Sequence, residues 1–242
     1  KGEDVYKPFI PSAAQIDVLN WLQEKIESPD PFDGYMSKSR GWGATRTTCV
    51  FAGWGLIYRE GWRGLLISRK EDIVDKPKDL NSMFGYIDFL ISYLQPWQIP
   101  EGYDPRYHRL KLMIKNPANG SQITGESTTT KAGRGARATY AIIDEAAFVP
   151  EFITTFGTLS GTTDHRIALS TESFEVSKDW YNTWTKYKDN PDKVKQLEVW
   201  DNPWFDEYTI AEEEARWEHD PEGFIREYFR DPYSGFGQAI YP

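Results

Sequence analysis

Two adjacent carboxylates, Asp144 and Glu145, follow directly on an apolar run at residues 140–143. Such a run predicts a strand that is buried on both faces of a mostly parallel sheet. Ligands of these sheets bind at the carboxyl ends of the strands, where we expect both carboxylates to stand. One carboxylate can hold a magnesium ion or its water shell while the next polarises an attacking water, as nucleotide hydrolysis requires. The alternative interpretation is a core strand that happens to end in acids.

A second stretch, residues 37–45, has the composition of a phosphate-binding loop. The usual pattern is a glycine, four residues, and then Gly-Lys-Ser/Thr. When the pattern is laid on this stretch, Gly43 takes the second glycine position, Thr45 the hydroxyl position and Ala44 the lysine position. Lys38 falls on the first glycine position, so the lysine has moved to the other end of the loop. An ammonium on either rim of such a loop can reach the β and γ oxygens of a nucleotide.

Backbone N–H groups of residues 41–45 and the N-terminus of the helix that follows would supply the anion cradle. The pattern alone is weak because it lacks its defining residue, and an ordinary strand–turn–helix connection has the same appearance. Together with the two carboxylates it favours a nucleotide hydrolase, with Thr45 and Asp144 on magnesium and Glu145 activating water.

These two stretches together resemble the ATPase domain of the large terminase subunit, the DNA-packaging motor of tailed bacteriophages. The resemblance rests on Lys38-Ser39-Arg40 and on the sequence from Asp144 to Phe148, and it extends over about residues 8 to 240. It implies an α/β P-loop NTPase of the additional-strand, catalytic-glutamate type, with a mostly parallel central sheet and a small helical C-terminal lid. The implied activity is ATP hydrolysis that drives double-stranded viral DNA into a procapsid.

The resemblance also suggests roles for individual residues. A glutamine can read adenine by paired hydrogen bonds and a phenylalanine can stack on it, which would place Gln15 and Phe9 at the base; an exposed Gln15 is the alternative. The ATP- and phosphate-binding residues that we predict are Lys38, Ser39, Arg40, Gly41, Gly43, Ala44, Thr45, Thr47, Gln15 and Phe9.

Several polar residues outside the loop have implied roles in catalysis or coupling. Arg134, in the basic stretch 131–137, would act as an arginine finger on the ATP of a neighbouring subunit, unless that stretch contacts DNA or is simply exposed. Arg40 is the other candidate for sensing the γ-phosphate. Ser170 and Thr171 would couple hydrolysis to movement, with ordinary turn chemistry after a strand as the alternative.

The remaining elements follow from hydrophobic periodicity and turn signals. Predicted helices cover residues 13–27, a segment from the loop to about 58, and 79–94, 146–155, 177–187, 206–218 and 221–230. Predicted strands cover 33–37, 64–69, 139–145, 166–171 and 195–200, with a hairpin from 107–115 and 121–124. We expect an ATPase core at 1–195, and at 196–242 a lid with the start of a linker. For Arg69, after the second strand, a solvated turn is favoured over a surface that faces DNA.

Composition narrows the class of protein further. A single cysteine, Cys49, excludes an internal disulfide and fits a reducing compartment, here the cytoplasm of a bacterial host. No apolar run is long enough to cross a membrane, and no membrane partner is expected. With a formal charge of −9, strong free-standing DNA binding is not expected of this chain, since such binding depends on neutralising the DNA phosphates.

Partners and rival functions follow from the same resemblance. It implies double-stranded DNA, a homo-oligomeric ring, a portal protein, a small terminase subunit, and a nuclease domain after residue 242. Because Lys1 stands where an initiator Met would, we expect an excised domain without nuclease activity. The alternatives are a helicase-like nucleic-acid translocase, against which only one motor-type lobe is evident, and a nucleotide-binding-fold scaffold that no longer hydrolyses ATP.

Overall fold

The computed structural model describes residues 9–128, 137–171, 178–203 and 205–230. Within these residues, eight strands form one sheet in the order β3-β4-β5-β2-β6-β7-β1-β8. The strands are β1 (Phe32–Lys38), β2 (Arg63–Ser68), β3 (Arg109–Leu110), β4 (Met113–Lys115), β5 (Gln122–Ser127), β6 (Tyr140–Asp144), β7 (His165–Ser170) and β8 (Val194–Leu197). Every pairing from β5 to β8 is parallel, and only β3–β4 and β4–β5 are antiparallel. The predicted mostly parallel sheet is confirmed.

Strand β6 lies at the centre of this sheet, between β2 and β7. Its residues Ala141, Ile142 and Ile143 have no solvent exposure. Because side chains alternate along a strand, Ile142 packs into one hydrophobic layer and Ile143 into the other. The apolar run is therefore a two-faced core strand, and it delivers Asp144 and Glu145 to the carboxyl edge as predicted.

Helices cover both faces of the sheet. The layer that contains Ile142 is closed by α1, α2 and α4, and the layer that contains Ile143 is closed by α6 and α7. The helices are α1 (Ala13–Glu27), α2 (Ala44–Tyr58), α3 (Glu71–Val74), α4 (Met83–Ser92), α5 (Pro105–His108), α6 (Phe152–Thr158), α7 (Lys178–Thr185), α8 (Glu207–Arg216) and α9 (Pro221–Phe229). Among the described residues, none of these helices has the length and apolarity needed to cross a membrane.

Four predicted elements differ from the structure in extent or kind. The predicted helix at 146–155 is a 3-10 turn, Ala146–Phe148, followed by α6, because Pro150 forces Val149 into an extended conformation. Helix α4 is shorter than predicted, since Ser82 caps it. The first arm of the predicted hairpin holds α5, β3 and β4, with Leu112 in a left-handed turn at φ 56°. The predicted strand at 195–200 divides into β8 and a 3-10 turn, Val199–Asp201.

Helices α8 and α9 follow the last strand and have a small core of their own, formed by Val199, Ile210, Phe224 and Tyr228. This agrees with the two helices predicted at 206–218 and 221–230; the proposed division at residue 195 stays a prediction. Residues 198–230 hold 11 of the 37 carboxylates but only 3 of the 28 Lys and Arg residues. We call residues 198–230, which lie within the segment 196–242 that was predicted to form a lid and linker, the lid. The lid therefore has a net charge of −8, which is nearly all of the chain's net charge of −9.

A buried ionic cluster fixes the edge of the sheet to the helices. Arg109 of β3 donates to Asp75 at 2.6 Å and to Asp88 of α4 at 2.8 Å. The Asp75 side chain is 2% exposed and also accepts the Leu112 N–H at 2.6 Å. Burial raises the pKa of Asp75, but the hydrogen bonds from Arg109 and Leu112 outweigh it, and the pKa lies below its usual value.

We expect Arg109→Met to lower the free energy of unfolding at neutral pH by about 3–5 kcal/mol, because it leaves a buried carboxylate without its cation. A lowered pKa in the folded state stabilises the protein above the ordinary pKa of Asp, and this contribution is lost as the pH falls through the folded-state pKa. The deficit should therefore shrink below about pH 4, where protonation removes the unpaired charge. Urea unfolding at neutral pH and below about pH 4 measures this loss in the free energy of unfolding.

The matched control is Arg106→Met, which removes an exposed arginine paired with Asp104. It should leave the urea midpoint almost unchanged. A loss for Arg109→Met no larger than that of the control would contradict the structural role of the cluster.

Candidate functional site

A cavity of about 610 Å³ opens at the carboxyl edge of the sheet, where β1, β6 and β7 end. Both stretches that the sequence singles out contribute to it, together with residues from α3–α4, β7 and the lid. Its lining residues are Lys38, Ser39, Arg40, Gly41, Gly43, Ala44, Thr45, Arg46, Arg69, Asn81, Glu145, Phe148, Thr171 and Glu227. Four of these are basic and two are carboxylates, so the cavity is suited to an anion.

The phosphate loop connects β1 to α2 and is shaped by two glycines. Gly41 has φ 77° and Gly43 has φ 88°, a left-handed conformation that side chains with a Cβ adopt only at a cost. Gly43 is the N-cap residue, so helix α2 starts at Ala44 with its free N–H groups at the cavity. Such a helix N-terminus favours a phosphate through its unsatisfied donors and its dipole.

Lys38, Thr45 and Asp144 meet in one hydrogen-bonded triad. The Lys38 ammonium donates to the Asp144 carboxylate at 2.8 Å and to the Thr45 hydroxyl at 2.9 Å. The Thr45 hydroxyl donates to the other Asp144 oxygen at 2.8 Å. The side chains of Lys38 and Asp144 are only 13% and 3% exposed. The displaced lysine therefore contacts Thr45 and Asp144, the two residues that the sequence analysis assigned to the same site.

The donor chemistry of this triad fits a divalent cation of the magnesium kind. Thr45 and Asp144 offer hard oxygens side by side, and the ammonium of Lys38 is a compact positive charge held by these same oxygens. No group of three or more His, Cys, Asp or Glu side chains with metal-site geometry occurs in the part of the chain that the structure describes. A magnesium ion here would take its other ligands from phosphate and water, as is usual for this ion.

Glu145 stands beside the triad in a strained conformation, with φ 54° and ψ 41°. Its carboxylate accepts a 2.5 Å hydrogen bond from Nε of Arg69, at the end of β2. The Arg69 guanidinium also lies 5.1 Å from the centre of the Phe148 ring. Arg69 is 40% exposed in the turn after β2, as expected, and its side chain in addition lines the cavity and pairs with Glu145. Strain at such a residue is a feature of functional sites.

The two hydroxyl residues at the end of β7 lie next to this turn. Ser170 is fully buried, and its Oγ accepts the N–H of Ala147 at 3.2 Å. Thr171 lines the cavity. Ser170 therefore connects β7 to the turn that carries Glu145, and the coupling role of Ser170 and Thr171 stays a prediction.

Other predicted binding residues have local structural partners. Gln15 forms a capping box with Ser12, and its amide lies so near the loop that a Cβ on Gly43 would be 3.3 Å from Nε2. Thr47 is fully buried and donates to the Gly43 carbonyl at 3.1 Å, so it braces the loop from behind. Phe9 is half-buried, and neither it nor Thr47 is among the described residues that line the cavity. Arg134 lies outside the described residues.

Five lining residues were missed by the sequence argument: Arg46, Arg69, Asn81, Phe148 and Glu227. Arg46 directly follows Thr45 in the first turn of α2, and its place beside the loop could have been read from this adjacency. Asn81 and Glu227 belong to segments that were predicted as helices, but nothing in those segments points to the cavity, and only the tertiary fold brings the two residues there.

Comparison with known proteins identifies the fold and the family. A family model described as terminase large subunit, T4likevirus-type, N-terminal, matches residues 35–234. No protein of curated function matches the chain. Among solved structures, it is similar to the large terminase of a thermophilic bacteriophage in complex with ADP, at 12% identity over 92% of this chain and 54% of that one, with a TM-score of 0.62.

Two further structures show the same likeness. The ATPase domain of the Thermus phage P74-26 large terminase is 20% identical over 92% of this chain and 94% of its own, with a TM-score of 0.62. The bacteriophage HK97 large terminase is 17% identical over 92% of this chain and 50% of its own, also with a TM-score of 0.62.

At these identities the structural likeness shows the fold, which is that of the terminase P-loop ATPases. The chain spans about half the length of the large terminases it matches. Because the family model covers most of the sequence, the chain belongs to the terminase large subunit family, T4likevirus type, as its N-terminal part.

Proposed function

We propose that this chain hydrolyses ATP with magnesium and that the hydrolysis drives double-stranded viral DNA into a procapsid. The observation that carries the proposal is the meeting of Lys38, Thr45 and Asp144 beside Glu145 at one edge of the sheet. Membership of the terminase large subunit family and the ADP complex of a similar terminase support a nucleotide as the ligand.

The phosphates would lie against the basic side of the cavity. Lys38, Arg40 and Arg46 line the cavity and supply positive charge, and the first N–H groups of α2 supply directed hydrogen bonds. On this proposal the ammonium of Lys38 leaves the carboxylate of Asp144 and turns to the phosphate oxygens when a nucleotide enters.

Thr45 and Asp144 would then hold the magnesium ion through the two oxygens that Lys38 gives up. The bound ion would neutralise charge that develops on the phosphate oxygens during transfer. Asp144 is suited to this because it is 2% exposed and its position is fixed by a fully buried strand.

Glu145 would orient the attacking water and accept its proton, with Arg69 as the group that positions the carboxylate. Arg69 is itself held by the face of the Phe148 ring, so the carboxylate of Glu145 is aimed by packing as well as by charge.

The charge distribution bears on how the motor would meet its partners. The lid carries a surplus of eight negative charges by the counts above, so we place DNA against the core and away from the lid.

The proposed assembly is a ring of copies with a portal protein and a small terminase subunit in the host cytoplasm. In it Arg134 would complete a neighbour's site, and residues 1–195 and 196–242 would act as core and lid.

We expect Glu145→Gln to bind the slowly hydrolysed analogue ATPγS with magnesium as the wild type does, yet to lower the turnover of ATP by about 10²–10⁴-fold, because it removes only the base. Phosphate release and calorimetric titration measure the two quantities. Glu151→Gln, an exposed carboxylate six residues along the chain, is the matched control. Turnover at the wild-type rate would exclude Glu145 from the mechanism.

Arg69→Ala should lower kcat by about 10- to 100-fold with little change in KM, since a misplaced catalytic group loses rate and the phosphate contacts stay intact. The adjacent exposed lysine provides the control variant, Lys70→Ala. If Arg69→Ala instead raises KM and leaves kcat unchanged, Arg69 binds the nucleotide and does not position Glu145.

A further inference from the structure

Glu227 is a carboxylate in an anion-binding cavity, and no step described so far uses it. It lies on α9 of the lid and lines the cavity together with Lys38 and Arg40. Its side chain is 18% exposed, and burial raises its pKa against the opposing effect of Arg40. A negative group placed where phosphates would bind opposes their binding. The charge of Glu227 must therefore be offset by a positive partner.

Arg40 is that partner, and the lid holds it in three ways. The Arg40 N–H donates to the carbonyl oxygen of Glu227 at 2.7 Å, although a phosphate loop normally directs such groups at its ligand. Arg40 Nη1 lies 3.6 Å from Glu227 Oε2. The guanidinium carbon lies 5.5 Å from the centre of the Trp217 ring, just after α8. Both backbone and side chain of Arg40 are therefore engaged by the lid.

The next loop residue, Gly41, also contacts the lid. The Gly41 carbonyl accepts a 2.8 Å hydrogen bond from the Asn202 side chain. The Phe205 ring packs so closely that a Cβ on Gly41 would lie 2.6 Å from it. A change in the loop at Arg40 and Gly41 therefore either moves the lid or breaks these contacts.

We propose that Glu227 is a positioning residue through which the lid competes with nucleotide phosphates for Arg40. In the empty cavity Glu227 neutralises Arg40 and keeps α9 against the loop. Phosphates that enter the cavity take the guanidinium, and α9 loses its ionic contact. This exchange of partners conveys the occupancy of the cavity to the lid. The inference rests on the proposed function, because it assumes that phosphates enter here.

The geometry makes Arg40 the switchable partner. Its side chain is 54% exposed, so it can turn from Glu227 into the cavity without disturbing the core. Arg230 at the end of α9 is different, since it is 8% exposed and donates to the Ser37 hydroxyl of β1 at 2.6 Å. Arg230, just after α9, stays anchored there while Glu227, in the last turn of α9, gains or loses Arg40.

The test is a double-mutant cycle on the affinity for ATPγS with magnesium, measured by calorimetry on wild type, Glu227→Gln, Arg40→Ala and the double variant. Glu227→Gln keeps the shape and the backbone bond but removes the competing charge. Since half-exposed ion pairs are weak, we expect it to tighten binding by about 2- to 5-fold. In the Arg40→Ala background this gain should disappear. The control Glu212→Gln removes the same charge from an exposed site on α8 and should change nothing.

Amide hydrogen exchange of Pro221–Phe229 gives a second readout, which does not depend on affinity. We expect ATPγS to speed exchange in the wild type, and Glu227→Gln to exchange faster even without nucleotide. An equal gain in affinity with and without Arg40 would mean simple repulsion and would overturn the proposal. Wild-type exchange in Glu227→Gln would overturn it as well. Failure of the wild type to bind ATPγS would instead overturn the proposed function, so the two failures are distinguishable.

Discussion

The ammonium of Lys38 between Thr45 and Asp144 is the contact on which the geometry of this site depends. Lys38 ends β1 and Asp144 ends β6, and β7 lies between these two strands. Two strand spacings are roughly 9–10 Å, a gap that only a long side chain can cross. In the parallel register Leu169 of β7 is opposite Asp144 on one side and Met36 on the other, so Lys38 stands two residues beyond the level of Asp144 and on the same face of the sheet as Met36. A lysine at the start of the loop can therefore reach the same oxygens as one at its end.

The second organising feature is the lid's hold on the phosphate loop. In addition to Arg40 and Gly41, the N–H of Ser39 donates to the carbonyl of Leu197, the last residue of β8, at 2.9 Å. Three consecutive loop residues are thus bonded to the C-terminal part of the fold, while the other end of the loop continues into α2. The loop is therefore continuous with α2 at one end and hydrogen-bonded to β8 and the lid at the other.

Much of this arrangement could be predicted from the sequence because it depends on local patterns. An apolar run followed by two acids marks β6, and a glycine-rich segment after a short strand marks the loop, with positive φ at Gly41 and Gly43. Asn81 and Glu227 could not be found in this way, since they reach the cavity through a crossover and through packing of the lid, whereas Arg69 follows β2 at the same edge of the sheet and was within reach of the pattern. The error at 146–155 has a local cause, Pro150, whose effect on Val149 was within reach of sequence reasoning.

The central claim is that Lys38 serves as the phosphate lysine from the far end of the loop. Calorimetric titration of ATPγS with magnesium into wild type, Lys38→Ala and the exposed control Lys115→Ala tests it most directly. Lys38 also neutralises the buried carboxylate of Asp144, so thermal unfolding must show that Lys38→Ala is folded. If Lys38→Ala does not fold, Lys38→Gln replaces it in the titration, because glutamine retains a hydrogen-bond donor to Asp144. The account predicts that affinity falls by about 10- to 100-fold in the Lys38 variant, as loss of a hydrogen bond to a charged group implies, and is unchanged in the control. Undiminished affinity in a folded Lys38 variant would contradict it.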